Sequence, residues 1–178
     1  MLTNPFLLTS VYDHHRTPYH ANGYTELHPI GPGTKVPMVF VDGEYKNMVA
    51  WQDPNRTIVT TPQPGAGIGV RLGRQRCGLY LVALDWDDEG LSDIAMSRFP
   101  SAVCKVGRRG HTAFFVSRNE IAPKNYKMGG GCRLQVLSTG QQTVLPPTVH
   151  PDTQEPYWWL GGYTFANVKI ENLPELPL

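Results

Sequence analysis

Residues 69–89 read GVRLGRQRCGLYLVALDWDDE, and this stretch carries most of the fold information in the chain. Residues 79–84 form a short apolar run that predicts a buried strand, and Asp85 and Asp87 follow at its end. Side chains two positions apart on a strand project from the same face, so both carboxylates are expected on one side. Neighbouring carboxylates repel each other unless a cation lies between them, and Mg²⁺ or Mn²⁺ meets that requirement. An acidic turn without a metal is the alternative.

On either side of this stretch, the sequence favours short strands joined by turns, together with two helices. One helix is predicted at residues 6–22, ending at Asn22-Gly23, and another at 90–99, stopped by Pro100. Apolar or β-branched runs predict strands at 24–30, 36–41, 57–61, 67–72, 102–106, 112–116, 133–137 and 143–145. Turn residues at 42–43, 107–110 and 139–140 indicate hairpins. The chain is therefore predicted to have an α+β fold.

The composition is that of an ordinary globular domain. The chain has 178 residues, 40% hydrophobic and 17% charged, which is enough for one domain with a buried core. No apolar run is long enough to span a membrane, and the N-terminus lacks the regions of a secretory signal. The cysteines at 77, 104 and 132 form no CxxC pair, so free thiols in the cytoplasm are expected. The net charge of +1 gives no global indication of nucleic-acid binding.

A second candidate site is the basic turn Gly107-Arg108-Arg109-Gly110, which lies next to Lys105 and is followed by His111. Backbone amides and arginine side chains in such a turn can hold a triphosphate. His111 is placed to donate a hydrogen bond to the same phosphates. The alternative interpretation is a solvated hairpin tip that binds nothing.

A third segment, residues 140–159, reads GQQTVLPPTVHPDTQEPYWW. Its Pro146-Pro147 pair ends a strand, and one of these bonds is a candidate for the cis form. Thr148 and His150 follow at alternating positions. The three consecutive aromatic residues at 157–159 suit either stacking on bases or packing in the core and its rim.

Taken in order, these segments resemble the archaeo-eukaryotic primase superfamily. More narrowly, they resemble the bifunctional primase-polymerase domains of plasmid, phage and prophage replication proteins. The stretches that carry the resemblance are PIGPGTKVP (29–37), similar to a lysine-proline segment of the family; residues 69–89 with the acidic pair; VCKVGRRGHTAFF (103–115), with the glycine-rich turn and histidine; and LQVLSTGQQTVLPPTVHPDTQEPYWWL (134–160), with the Pro-Pro-Ser/Thr turn, the histidine and the Tyr-x-Trp ending.

The resemblance implies a DNA primase and DNA polymerase, a nucleotidyltransferase that uses Mg²⁺ or Mn²⁺ to join dNTPs or NTPs to a 3′-hydroxyl on a single-stranded DNA template or primer-template. The implied fold is an RRM-like antiparallel sheet combined with an N-terminal αβ unit, with the active site in the cleft between them. Asp85 and Asp87 would bind the metals, and His111 would take part in catalysis by contacting the phosphates. The residues that would bind the nucleotide are Lys105, Arg109, His111, Thr148 and His150.

One position departs from the family pattern. The family's third motif carries an acid that completes the catalytic metal site, and the matching residue here is Gln135. Glutamine still offers a carbonyl oxygen, but it carries no charge and cannot act as a base. Three explanations stay open: natural impairment of the enzyme, a deliberate Glu→Gln substitution, or replacement of the missing acid by Asp88 or Glu89.

Two other functions are compatible with the sequence. Gln135 favours a nucleic-acid-binding replication module without catalysis, and the acidic pair permits a metal-dependent nuclease. A single domain is predicted over residues 1–172, with 173–178 as an extended tail or the start of a linker. The resemblance also implies a fused or associated helicase as a partner, in a bacterial, archaeal or phage-infected cytoplasm and away from any membrane.

Overall fold

The computed structural model describes residues 10–53, 55–127 and 133–177, which form a mixed α+β fold with mostly antiparallel sheets. The helices are α1 (Val11–Ala21) and α2 (Glu89–Arg98), with a 3-10 turn at Ile170–Asn172. The strands are β1 (Leu27–Ile30), β2 (Met38–Val41), β3 (Glu44–Asn47), β4 (Gly67–Arg71), β5 (Gly73–Arg74), β6 (Tyr80–Trp86), β7 (Cys104–Val106), β8 (His111–Ser117), β9 (Lys124–Lys127), β10 (Arg133–Leu137), β11 (Gln142–Leu145) and β12 (Trp158–Leu160).

The smaller of the two main sheets has the strand order β1-β4-β11, and α1 packs beside it. The side chain of Ser10 caps α1 by accepting a hydrogen bond of 3.0 Å from the backbone N–H of Asp13. The helix ends at Asn22, and Gly23 follows with φ of +92°, which glycine adopts without a steric penalty. The predicted end of this helix is thereby confirmed, and the predicted part before residue 10 lies outside the described residues.

The larger sheet has the order β12-β7-β8-β6-β10-β9, with β5 also paired to β6. Side chains on one of its faces, among them Ala83 and Phe114, share a buried cluster with α1 and the smaller sheet. Side chains on its opposite face, among them Trp86 and Phe115, pack with residues of α2 and the C-terminal segment. The central strand β6 is therefore buried on both faces until it reaches Asp85, where the smaller sheet no longer covers it.

Several sequence predictions are confirmed in outline. The hairpin around residues 107–110 joins β7 and β8, the turn at 42–43 joins β2 and β3, and the helix near 90–99 is α2. The peptide bond between Pro146 and Pro147 is cis, as proposed for this turn. No helix in the described part of the chain is long and apolar enough to cross a membrane.

Other predictions about strands are wrong. The hairpin expected at 133–145 does not form, because β10 pairs with β6 and β9 whereas β11 pairs with β4. Residues 57–61 form no strand, and the carbonyl of Val59 instead accepts hydrogen bonds from Tyr12 and Arg16 on α1. Each of these segments is held by partners distant in sequence, which local pattern does not specify.

The C-terminal segment is extended, and it is packed onto the domain. Leu173 and Leu176 are buried, and backbone hydrogen bonds join Val116 on β8 to Pro174 and Leu176. Residues 173–177 therefore belong structurally to the same packed unit as the rest of the domain, although the sequence suggested a tail or linker.

Candidate active site

Four side chains from four neighbouring strands form a row across the larger sheet. Gln135 on β10 lies opposite Asp85 on β6, Asp85 lies opposite Thr112 on β8, and Thr112 lies opposite Lys105 on β7. Directly opposite residues of antiparallel strands project from the same face, so these four side chains share one face of the sheet. Three members of this catalytic row, Asp85, Thr112 and Lys105, line a cleft of about 610 Å³, which residues 142–144 of β11 also line.

The acidic pair lies as the strand periodicity predicts. Asp85 and Asp87 both line the cleft. The hydroxyl of Thr112 donates a hydrogen bond to Asp85 Oδ1 and thereby orients that carboxylate. Burial, and secondly the nearby charge of Asp85, raise the pKa of Asp87. A cation between the carboxylates would relieve this repulsion, so the pair fits a hard divalent metal.

Gln135 lies beside Asp85 on the neighbouring strand. Within the described residues, no group of three or more His, Cys, Asp and Glu side chains is placed to hold a metal. The amide nitrogen of Gln135 donates a 2.7 Å hydrogen bond to Asn125 Oδ1. This contact engages the amide nitrogen and does not involve the carbonyl oxygen. Asp88 follows β6, and Glu89 begins α2 with its side chain outside the described residues, so the structure does not identify either as a replacement.

Lys105 provides a buried cation on the other side of the acidic pair. Only 6% of this residue is exposed, and its ammonium lies 4.8 Å from the centre of the Tyr157 ring. Burial lowers the pKa of Lys105 to about 8, although the charge of Asp85 acts in the opposite direction. An anionic ligand in the cleft would stabilise the protonated form, because it would supply the charge partner that burial withholds.

His150 contributes a hydrogen-bond donor from the segment after the Pro-Pro turn. It lines the cleft and is almost fully buried, with its ring 5.2 Å from that of Tyr157. Burial, followed by the charge of Lys35, lowers its pKa, so the ring is neutral at neutral pH. The backbone N–H of Asp152 donates to Nδ1 over 3.1 Å, which leaves the ring proton on Nε2 as a donor.

Further cations surround the mouth of the cleft. Arg108 and Arg109 are exposed on the turn between β7 and β8, and Arg108 forms an exposed ion pair of 3.7 Å with Asp152. Lys35 approaches from the loop after β1, where the side chain of Gln142 donates a 2.9 Å hydrogen bond to its carbonyl oxygen. The cleft therefore combines two carboxylates with an arc of positive charge.

His111 and Thr148 are also predicted site residues, and the structure places them differently from each other. His111 reaches the wall of the cleft, but its ring packs 4.8 Å from that of Trp86, on the face of the sheet opposite Asp85. Thr148 binds the backbone of Ile68 through its hydroxyl over 2.8 Å and lines a second cavity beside α1. Thr148 therefore joins the Pro-Pro turn to β4.

Sequence patterns do not identify Thr112, Arg133 or Tyr157 as members of the site. Lys35 appears only within residues 29–37, the segment similar to a lysine-proline segment of the family. Thr112 was missed because a shift of one residue in the register of a hairpin exchanges the two faces. The hairpin turn has enough glycine to allow either register. Tyr157 was recognisable only as an aromatic residue, since its contact with Lys105 depends on pairing between β12 and β7.

Comparison with protein families decides the affiliation of the chain. The family model named bifunctional DNA primase/polymerase, N-terminal, matches residues 17–177 of the chain. The chain belongs to this primase/polymerase family. Neither the curated proteins nor the solved structures give a match. Membership implies an enzyme of the nucleotidyltransferase type, metal-dependent as a class, that acts in DNA replication and binds nucleotides and DNA.

Proposed function

We propose that this domain extends a 3′-hydroxyl on a DNA template by metal-dependent nucleotidyl transfer from a dNTP or NTP, in the replication of a plasmid or phage. The observation that carries the proposal is the catalytic row, in which Asp85 lies between the buried cation Lys105 and the amide of Gln135. A primase-polymerase catalytic core, with the cleft between the smaller and larger sheets as its site, is part of the same proposal.

The reaction requires the 3′-oxygen to attack the α-phosphorus while the bond to the bridging oxygen breaks and pyrophosphate leaves. The hydroxyl gives up its proton to a solvent water molecule in this step. Negative charge accumulates on the phosphates, and we assign its stabilisation to Lys105, Arg109 and the Nε2–H group of His150, which line the cleft. Neutral Gln135 can position a group but cannot accept the proton.

The carboxylates of Asp85 and Asp87, with the carbonyl oxygen of Gln135, fit Mg²⁺ or Mn²⁺, which prefer oxygen ligands. When bound, such a cation supplies charge stabilisation to the attacking and leaving oxygens. Thr112 keeps Asp85 oriented toward the cleft.

Primer extension with Asp85→Asn and Asp87→Asn variants tests the proposal, in Mg²⁺ and separately in Mn²⁺. We expect each substitution to reduce extension by at least ~10²-fold, because either one removes half of the anionic charge of the pair. Asp42→Asn is the matched control: Asp42 is exposed at the tip of the β2–β3 turn with φ of +54°, which asparagine tolerates. Normal extension by both site variants would refute the proposal.

Gln135 supports a second candidate, a replication module on the same fold that binds nucleotide and DNA without catalysis. The Gln135→Glu variant separates the two candidates, because it restores a third anionic ligand without altering side-chain size. Extension that increases tenfold or more would indicate an intact but weakened polymerase site. Absence of extension in both the unmodified protein and the Gln135→Glu variant, with DNA binding retained, would favour the module. Cleavage of labelled single-stranded DNA in Mn²⁺ would instead favour the nuclease.

Priming without a pre-existing 3′ end requires the protein to bind two nucleotides at once. We propose that this step depends on a fused or associated helicase or on other parts of the replication protein. Extension of an existing primer is accordingly the activity assigned to this domain alone.

A further inference from the structure

The hairpin formed by β9 and β10 borders the acidic pair on the side away from Lys105. β10 pairs with β6, and β9 pairs with β10 as the edge strand of the larger sheet. All four residues of β9, Lys124–Lys127, are exposed. An edge strand with two lysines and no acid resists pairing with another strand, but its two faces are not equivalent in this sheet.

The strand register separates the side chains of β9 between these faces. Lys127 lies opposite Arg133, and Asn125 lies opposite Gln135. These residues share the face that carries Asp85, since Gln135 is also opposite Asp85. Lys124 lies opposite Val136, whose side chain belongs to the buried cluster on the other face. Two exposed lysines of one strand are therefore directed to opposite sides of the sheet.

Lys127 and Arg133 place two positive charges side by side on the face of the sheet that carries Asp85. Arg133 lines the cleft, and the backbone N–H of Asp87 donates a 3.2 Å hydrogen bond to its carbonyl oxygen. Burial and the charge of Asp85 raise the pKa of Asp87, and the charge of Arg133 opposes that rise. In the ranges that the structure describes, neither Lys127 nor Arg133 forms an ion pair. This side of the cleft thus has positive charge available for an anionic ligand.

The acidic pair lies midway between this positive surface and the one proposed for the triphosphate. Lys105 and Asn125 are each two strands from Asp85, which corresponds to roughly 10 Å on either side. During transfer, the α-phosphate and the 3′-hydroxyl must meet at the acidic pair. If the triphosphate lies toward Lys105, the strand that carries the 3′-hydroxyl must approach from the opposite side.

We propose that the DNA primer strand passes over the cleft face of this hairpin, with its backbone phosphates against Lys127 and Arg133. The inference rests on the proposed function, since it takes the direction of approach from the position of the triphosphate. Phosphate contacts of this kind position a strand without reading its sequence. The hairpin therefore binds the primer strand without sequence specificity, next to the catalytic row.

Two charge reversals on the same strand test the proposal. Lys127→Glu changes the cleft face, and Lys124→Glu makes the same change three residues away on the other face. Binding of a labelled primer-template, measured by fluorescence anisotropy without nucleotide, should weaken about tenfold or more in Lys127→Glu and less than about twofold in Lys124→Glu. In Lys127→Ala, the slope of log affinity against log salt should decrease by roughly 0.7–0.9, which corresponds to one phosphate contact.

Nucleotide binding measured in the absence of DNA should be unchanged in both variants. Equal weakening of DNA binding in Lys127→Glu and Lys124→Glu, or no weakening in either, would overturn the proposal. The result does not depend on catalysis, because binding is measured without transfer. Failure of primer extension in the unmodified protein would count against the proposed function alone.

Discussion

At the scale of single residues, Thr112 is the contact that keeps Asp85 in place. Its hydroxyl donates to Asp85 Oδ1 from the neighbouring strand. Thr112→Val keeps the shape of the side chain but removes the donor, and hydrogen bonds to charged groups contribute about 1.5–3 kcal/mol. We therefore expect Thr112→Val to lower the rate of extension by about tenfold or more and to raise the Mg²⁺ concentration needed for half-maximal activity.

Thr112→Ser is the matched control for that prediction, because serine retains the hydroxyl. It should restore most of the rate and the normal requirement for Mg²⁺. A purely structural role for Thr112 would predict a loss of stability in Thr112→Val with no change in its metal dependence, and thermal melting of both variants detects such a loss.

Lys105 makes a prediction about pH. Its pKa in the free protein is lowered to about 8 by burial, and a bound triphosphate would raise it again. Nucleotide affinity should therefore be highest below pH 8, where Lys105 is already protonated. It should decline as the pH rises above that value, since the lysine must then take up a proton on binding. Calorimetric titration with dNTP from pH 7 to 9.5 measures this decline.

The Lys105→Met variant provides the comparison, because methionine fills similar space without charge. Its affinity should be about tenfold weaker at pH 7, as expected for a lost charge-assisted hydrogen bond, and nearly independent of pH over this range. A variant that kept the original pH profile would show that a group other than Lys105 is responsible.

At the scale of elements, the β7–β8 hairpin depends on Gly110. This glycine has φ of +55°, and a Cβ at this position would lie 1.7 Å from the carbonyl oxygen of Trp86. Gly110→Ala therefore forces β8 away from β6 at Trp86, the residue that precedes Asp87. We expect a loss of at least ~2 kcal/mol in the free energy of unfolding by urea, together with reduced extension.

Gly78→Ala is the control for the backbone contribution. Gly78 also has a positive φ, of +91°, but a Cβ there meets no atom within 4 Å. Gly78→Ala should lower the free energy of unfolding by about 1 kcal/mol, the expected penalty for alanine in the left-handed region. Equal destabilisation by the two substitutions would show that the contact with Trp86 relaxes without penalty.

The same elements show what sequence could and could not predict. The strand β6 and the position of Asp85 and Asp87 at its end followed from an apolar run and the two-residue periodicity. The face of His111 did not, because it depends on the number of residues that the turn leaves unpaired. The partners of β10 and β11 were also missed, since adjacent strands in sequence were assumed to pair and these two belong to different sheets.

At the scale of the whole molecule, a buried polar cluster fixes the point where the chain leaves the smaller sheet for the larger. Arg71, at the end of β4, forms a 2.7 Å ion pair with Glu26, and both side chains are almost completely buried. The side chain of Gln75 accepts hydrogen bonds from the backbone N–H groups of Thr25 and Glu26 and donates to the carbonyl of Arg71. This cluster therefore influences how the two walls of the cleft are placed.

Removing one charge from this pair should be more damaging than removing both. Glu26→Gln leaves the Arg71 guanidinium buried without its charge partner, which typically costs about 3–5 kcal/mol of stability. The double variant Glu26→Gln, Arg71→Met removes the uncompensated charge, so it should recover much of that loss in urea denaturation. Simple additivity of the two single substitutions would mean that the ion pair does not stabilise the junction. If the cluster also sets the width of the cleft, KM for the nucleotide should rise in Glu26→Gln at temperatures well below its melting transition, and it should return toward the original value in the double variant.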